Sequence, residues 1–151
     1  VAENGGAGPA GAALVASGEA GGAGSGGQVG LVCYGETVHA CRQAAEEVEA
    51  EVGSAEVLDL RTIRPPDIEA LFTSVSKTHR AVVAEEGWHF AGAGAQVVDE
   101  LQKGIFDELD APILRVTGAD VPMPYNKALE RAAKTDTAKI VAAAKKVLYL
   151  A

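Results

Sequence analysis

The sequence predicts a three-layer α/β fold, in which an open and mostly parallel sheet carries helices on both faces. Apolar runs of five or six residues, typical of strands buried on both faces, alternate with longer segments whose apolar residues recur at helical spacing. Glycines, prolines or polar residues separate these segments. Strands that alternate with helices usually pair in parallel, because each helix carries the chain back across the sheet.

The first half of the domain supplies two strands and two helices. The apolar run at residues 29–34 predicts a strand buried on both faces. Thr37 is the predicted cap of a helix that runs to Gly53, with glutamates on its outer face. Residues 56–60 predict a second strand, and Asp67 caps a short helix after two prolines that break the chain.

The second half repeats the alternation. Residues 79–84 predict a third strand, 85–94 a loop and 95–109 a helix with one apolar stripe. A fourth strand follows at 112–116. Two prolines exclude regular structure at 121–124, and two helices are then predicted at these ranges: 127–132 and 136–149.

Composition divides the 151 residues into two parts. Residues 1–28 hold 10 of the 18 glycines and 8 alanines, with no Lys, Arg or aromatic residue. Such a segment cannot bury enough apolar surface to offset its ordering entropy, so we expect it to be flexible. Residues 29–151 have the size of one ordinary domain. We expect the Gly/Ala-rich segment to mark a junction where part of a longer protein is missing.

The charge and the cysteines exclude several classes of function. The net charge of −8 argues against nucleic acid or an anionic membrane as a partner. The charge is uneven, at −10 over residues 29–110 and +4 over residues 111–151, which suits docking to charged partners. Cys33 and Cys41 predict reduced, packed thiols of an intracellular protein.

Gly92 and Gly94 open a predicted helix after a strand, an arrangement that raises a nucleotide-binding hypothesis. Val97 stands where the dinucleotide motif requires its third glycine, and the preceding loop is too long for the tight turn. The alternative interpretation is a helix N-terminus that simply packs closely against its neighbours.

The remaining polar side chains predict an interface better than catalysis. The histidines and cysteines lack zinc-ligand spacing, and the serines lack a nucleophile motif with a base in register. His39 and His79 are expected at the surface or at an edge. One polar and aromatic group follows a strand end, where binding residues collect, and we predict that it forms an interface loop. Its residues are Glu85, Glu86, Trp88 and His89.

Four segments together resemble a known family. They are VLDLRTIRP at 57–65, VAEEGW at 83–88, LDAP at 109–112 and RVTGADVPMPY at 115–125. In this order they resemble the C-terminal domain of pyruvate dehydrogenase beta subunits, a domain shared with transketolases. The resemblance covers residues 29–151, about the last third of such a subunit.

The resemblance implies a role in assembly and docking. The intact enzyme would use thiamine diphosphate and magnesium, held by an alpha subunit, to decarboxylate pyruvate and acetylate a lipoyl group. This domain would contact the alpha subunit and a second beta subunit, and would dock the peripheral binding domain of the acetyltransferase. By match, Asp110 and the carboxylate of Ala151 would face that basic domain. The compartment would be the mitochondrial matrix, the plastid stroma or the bacterial cytoplasm.

By the same resemblance we expect the chain alone to hold no catalytic, cofactor-binding or metal-binding residue and to be inactive. One alternative is a stand-alone interaction module that kept the fold and lost the enzyme. A longer reading frame upstream would decide between the two. For Asp110, the alternative is a turn residue ahead of Pro112.

Overall fold

The structure of the chain, a computed structural model, describes residues 21–23 and 27–150. Its strands are β1 (Gly21–Ala23), β2 (Val29–Cys33), β3 (Ala55–Asp59), β4 (Ala81–Trp88) and β5 (Leu114–Gly118). Its helices are α1 (Thr37–Glu51), α2 (Ile68–Thr78), α3 (Ala93–Ile105), α4 (Lys127–Ala133) and α5 (Thr137–Val147). A short 3-10 helix, Phe106–Glu108, follows α3.

The five strands form one sheet in the order β1-β3-β2-β4-β5. β2 pairs in parallel with β3 and with β4, β4 pairs in parallel with β5, and β1 is an antiparallel edge. The chain moves outward from β2 to β3 and then back past β2 to β4. The direction of the connections therefore reverses between β2 and β4. In open parallel sheets, such a switch point forms a crevice at the carboxyl ends of the strands.

The core lies on both faces of the sheet, because successive strand residues point to opposite sides. Leu31 and Cys33 of β2 pack beneath α1 and α5, whereas Val32 packs beneath α2 and α3. The three-layer, mostly parallel fold predicted from the sequence is confirmed.

Three predicted boundaries differ from the structure. Thr37 is the first residue of α1 and not its cap, since Glu36 occupies the cap position. The Thr37 hydroxyl instead donates to the carbonyls of Tyr34 and Ala84, which ties α1 to two strand ends. Gly21–Ala23, predicted within the flexible segment, pair with β3. Residues 1–20 and 24–26 of that segment lie outside the described residues.

The third difference concerns the loop predicted at 85–94, because β4 continues to Trp88. Asp67, in contrast, caps α2 as predicted by accepting a hydrogen bond from the Ala70 N–H at 3.0 Å. Across the described residues, no helix has the length and apolar character that crossing a membrane requires.

Candidate functional site

The switch point between β2 and β4 holds a buried carboxylate. The side chain of Glu85 is fully buried. One of its oxygens accepts hydrogen bonds from the Tyr34 hydroxyl and the Gly94 backbone N–H, both at 2.9 Å. The other accepts from Arg115, through Nε at 3.1 Å and through Nη2. Each oxygen therefore has two donors, and Arg115 neutralises a charge that would be very costly to bury alone.

The glycines at the start of α3 serve this carboxylate. A Cβ at Gly94 would lie 2.5 Å from Oε1 of Glu85, and one at Gly92 would lie 2.6 Å from Oε2. Both positions therefore allow the helix N-terminus to approach the side chain closely. The Gly94 N–H, which a bound phosphate would need, is used by Glu85. This geometry supports the close-packing interpretation of these glycines and not the nucleotide hypothesis.

The predicted interface loop divides into one buried residue and three exposed ones. Glu85 lies beneath the surface, whereas Glu86, Trp88 and His89 are exposed. The polar sequence predicted a loop at Glu85, but the ion pair with Arg115 allows a strand to bury this residue. Glu85 therefore supports the surface from below and does not form part of it.

A tight loop after β4 is tied to the same ion pair. Nη1 of Arg115 donates to the His89 carbonyl at 2.8 Å. Ala91 has a φ of 56°, a left-handed conformation that costs a non-glycine residue about 1–2 kcal/mol. The loop exposes 51 % of Trp88 and 83 % of Phe90. The surroundings therefore hold two aromatic side chains in solvent on a strained backbone.

An exposed apolar surface continues from this loop along the next strand end. Trp88 pairs with Gly118, so the segment that leaves β5 starts beside the loop. We call the exposed large side chains of this region the apolar surface; its residues are Trp88, Phe90, Val121, Met123, Tyr125 and Leu129. Sequence analysis noted the prolines at 122 and 124 but missed this surface. The available signal was an apolar residue beside each proline, in a segment that cannot pair in a sheet.

Glu86 forms a second, solvent-facing cluster at the same end of the sheet. Burial, and then a hydrogen bond with Glu36, raises the pKa of Glu86. That hydrogen bond, and then the charge of Lys134, lowers the pKa of Glu36. Lys134 Nζ lies 3.4 Å from Glu36 Oε2. The two carboxyl groups therefore differ in proton affinity, and they line an open cavity of about 250 Å³ together with His39.

The predicted docking residue Asp110 lies at the opposite end of the sheet. Its backbone N–H donates to the His79 carbonyl at 2.8 Å, just before β4 begins. Its exposed side chain pairs with Arg80 at 3.1 Å. The Tyr149 hydroxyl donates to the Asp110 carbonyl at 3.2 Å, so the C-terminal segment passes beside Asp110. Ala151, the other predicted docking residue, lies outside the described residues. His39 and His79 are exposed, as predicted.

The described part of the chain does not fit a diphosphate and magnesium site. Within it, no three His, Cys, Asp or Glu side chains are grouped to hold a metal ion. The N-terminus of α3 is closed by Glu85. Cys33 and Cys41 are buried free thiols. A hydrogen bond with Cys41, and then burial, raises the pKa of Cys33 well above its ordinary value, so this side chain is a neutral packing group.

Comparisons with known proteins agree with this geometry. The chain is 45 % identical over 139 residues to "Pyruvate dehydrogenase E1 component subunit beta, mitochondrial" of Caenorhabditis elegans, covering 91 % of the chain and 40 % of the relative. It is 47 % identical over 134 residues to the protein of the same name in Dictyostelium discoideum, covering 89 % and 38 %. The chain thus spans about two fifths of the length of these curated relatives.

A solved structure, "Split gene transketolase, inactive beta4 tetramer", superposes with a TM-score of 0.77 at 29 % identity, covering 90 % of this chain and 43 % of that one. The model of the family described as "Transketolase, C-terminal domain" matches residues 18–140. The chain therefore belongs to the transketolase C-terminal domain family.

Proposed function

We propose that the chain is the C-terminal domain of a pyruvate dehydrogenase beta subunit, serving subunit assembly and docking to the acetyltransferase core. Identity of 41–47 % to such subunits over about 90 % of the chain carries this proposal. The whole enzyme would decarboxylate pyruvate on thiamine diphosphate with magnesium and acetylate lipoyl groups. It would work inside the cell, in the compartment where such a complex is found, the mitochondrial matrix, the plastid stroma or the bacterial cytoplasm.

The apolar surface is the assembly surface in this proposal. Trp88, Phe90 and Tyr125 are large aromatic side chains, and such residues are enriched at protein interfaces and depleted on free surfaces. We assign a second beta subunit to this surface, because the similar split-gene transketolase is described as a tetramer of beta chains. The alpha subunit would bind elsewhere on the intact beta subunit.

Asp110 is the docking residue in this proposal. Its carboxylate is about half exposed. The preceding 3-10 helix adds two exposed acids, Asp107 and Glu108. The only cation paired with Asp110 among the described ion pairs is Arg80. A basic binding domain would find acidic groups here, at the end of the sheet away from the apolar surface, so assembly and docking would not compete.

Sedimentation velocity over a range of concentrations tests the assembly role. We expect the wild-type chain to self-associate, and Trp88→Ser with Phe90→Ser to remain monomeric. Phe106→Ser is the matched control, because Phe106 is 62 % exposed but lies at the opposite end of the sheet. A wild-type chain that stays monomeric at every concentration would overturn the assignment of this surface.

The purified chain should not decarboxylate pyruvate. The described residues present neither a metal-ligand cluster nor a free helix N-terminus at the switch point. An assay with thiamine diphosphate and magnesium checks this expectation, and turnover by the 151-residue chain would contradict it.

A further inference from the structure

We propose that Arg115 is a positioning residue for the apolar surface, and that it acts by holding the Trp88–His89–Phe90 loop through one guanidinium nitrogen. This inference rests on the proposed assembly role, since it assigns the residue that shapes the surface used for it.

The three nitrogens of Arg115 divide their work. Nε and Nη2 bind the Glu85 carboxylate, and Nη1 binds the His89 carbonyl at 2.8 Å. The Arg115 side chain is only 11 % exposed, so water competes little for these donors. The planar guanidinium can serve both partners at once because its donors are fixed in a fork.

The loop needs this support because its own contacts are few and its backbone is strained. Trp88 and Phe90 point into solvent, and Ala91 adopts a left-handed φ of 56°. Such a conformation persists only where the surroundings impose it. The surroundings here are close: a Cβ at Gly92 would meet the Trp88 carbonyl at 2.6 Å and Arg115 Nη2 at 2.8 Å.

Glu85 fixes the arginine in turn. Its four hydrogen bonds join β2, β4, the N-terminus of α3 and β5. Its backbone carbonyl also accepts the Thr135 hydroxyl at 2.8 Å, from the link between α4 and α5. The orientation of the exposed aromatic side chains is therefore coupled to the buried carboxylate through a single residue, Arg115.

The chain's only tryptophan lies on this loop, so intrinsic fluorescence reports the loop directly. Arg115→Lys keeps a positive charge for Glu85, but its single ammonium cannot reproduce the fork that also binds the His89 carbonyl. At concentrations where sedimentation shows a monomer, we expect Arg115→Lys to shift Trp88 emission to the red. Because Trp88 is already 51 % exposed, its release would raise the acrylamide quenching constant by about twofold at most.

Lys77→Met is the matched control, since it breaks the exposed ion pair with Glu56 far from the loop. It should leave the emission unchanged. Arg115→Met should change the emission as Arg115→Lys does, with a larger fall in Tm; if Arg115→Met does not fold, Arg115→Lys alone decides. A lower Tm for Arg115→Lys with wild-type emission and quenching would overturn the proposal, because a merely structural pair predicts that result.

Self-association separates this inference from the proposed function. If Arg115→Lys changes the Trp88 signal and weakens self-association, both stand. If it changes the signal while even the wild-type chain fails to associate, the positioning role stands and the assembly role fails.

Discussion

Glu85 and Arg115 form a two-nitrogen ion pair across neighbouring strands, at the carboxyl ends of β4 and β5. The pair closes the switch point of the sheet, where other open α/β folds leave a crevice for a ligand. A side chain of the chain itself thus takes the place of a bound anion. This relationship explains why a domain with a glycine-rich helix N-terminus serves better as a support for surfaces than as a binding site.

Replacing Glu85 with Gln should destabilise the fold strongly. The change leaves the guanidinium of Arg115, which is 11 % exposed, without its counter-charge. Removal of one partner from a buried pair typically costs about 3–5 kcal/mol, and we expect a loss of that size in the free energy of unfolding by urea. The double variant Glu85→Gln with Arg115→Met should recover part of the loss. Wild-type stability of Glu85→Gln would show that the pair contributes little.

Gly94→Ala should also destabilise the chain, because its Cβ would lie 2.5 Å from Glu85 Oε1 and 3.1 Å from Val83 Cγ1. We expect thermal unfolding to show a loss of about 1–3 kcal/mol, typical of overpacking. Gly87→Ala is the control, since a Cβ there would meet Glu85 Oε2 at an ordinary 3.6 Å. Equal effects of the two substitutions would argue against close packing at the start of α3.

Tyr34 should make stability depend on alkaline pH. Burial, and then the hydrogen bond to Glu85, raises the pKa of the Tyr34 hydroxyl above its ordinary value of 10.0. Below that pH the contribution of Tyr34 is complete. Above it the unfolded chain ionises first, so the free energy of unfolding falls as pH rises. Urea titrations from pH 8 to 11 should show a shallower fall for Tyr34→Phe, which also loses about 1.5–3 kcal/mol at neutral pH.

Tyr125→Phe is the control for that series, since Tyr125 is fully exposed. Its slope should match that of the wild-type chain. A wild-type slope for Tyr34→Phe as well would mean that Tyr34 does not contribute to the alkaline loss.

The sequence predicted the alternation of strands and helices because periodic patterns such as those of β2 and α1 follow directly from burial. It did not predict the strand order or the antiparallel β1, since Gly21–Ala23 carry no apolar pattern and depend on pairing with β3. It placed Glu85 in a loop because a charged residue reads as exposed. The partner that permits its burial, Arg115, is 30 positions away.

The site was predicted in part for the same reason. Trp88 and His89 follow a strand end, which local sequence shows, and both are exposed. The link from Arg115 to the His89 carbonyl depends on the register of β4 against β5, which no local pattern encodes.

The most direct test of the account is a calorimetric titration of this chain with the peripheral binding domain of an acetyltransferase component, at low and high salt. We expect binding that weakens as salt rises, because charge would dominate the contact. Asp110→Asn keeps a turn-forming residue but removes the charge, and it should weaken binding about tenfold, or 1.4 kcal/mol.

Asp99→Asn is the control in that titration, since Asp99 is an exposed carboxylate paired with Lys103 on α3. It should bind as the wild-type chain does. No binding by the wild-type chain, or equal affinity of wild type and Asp110→Asn, would contradict the docking role.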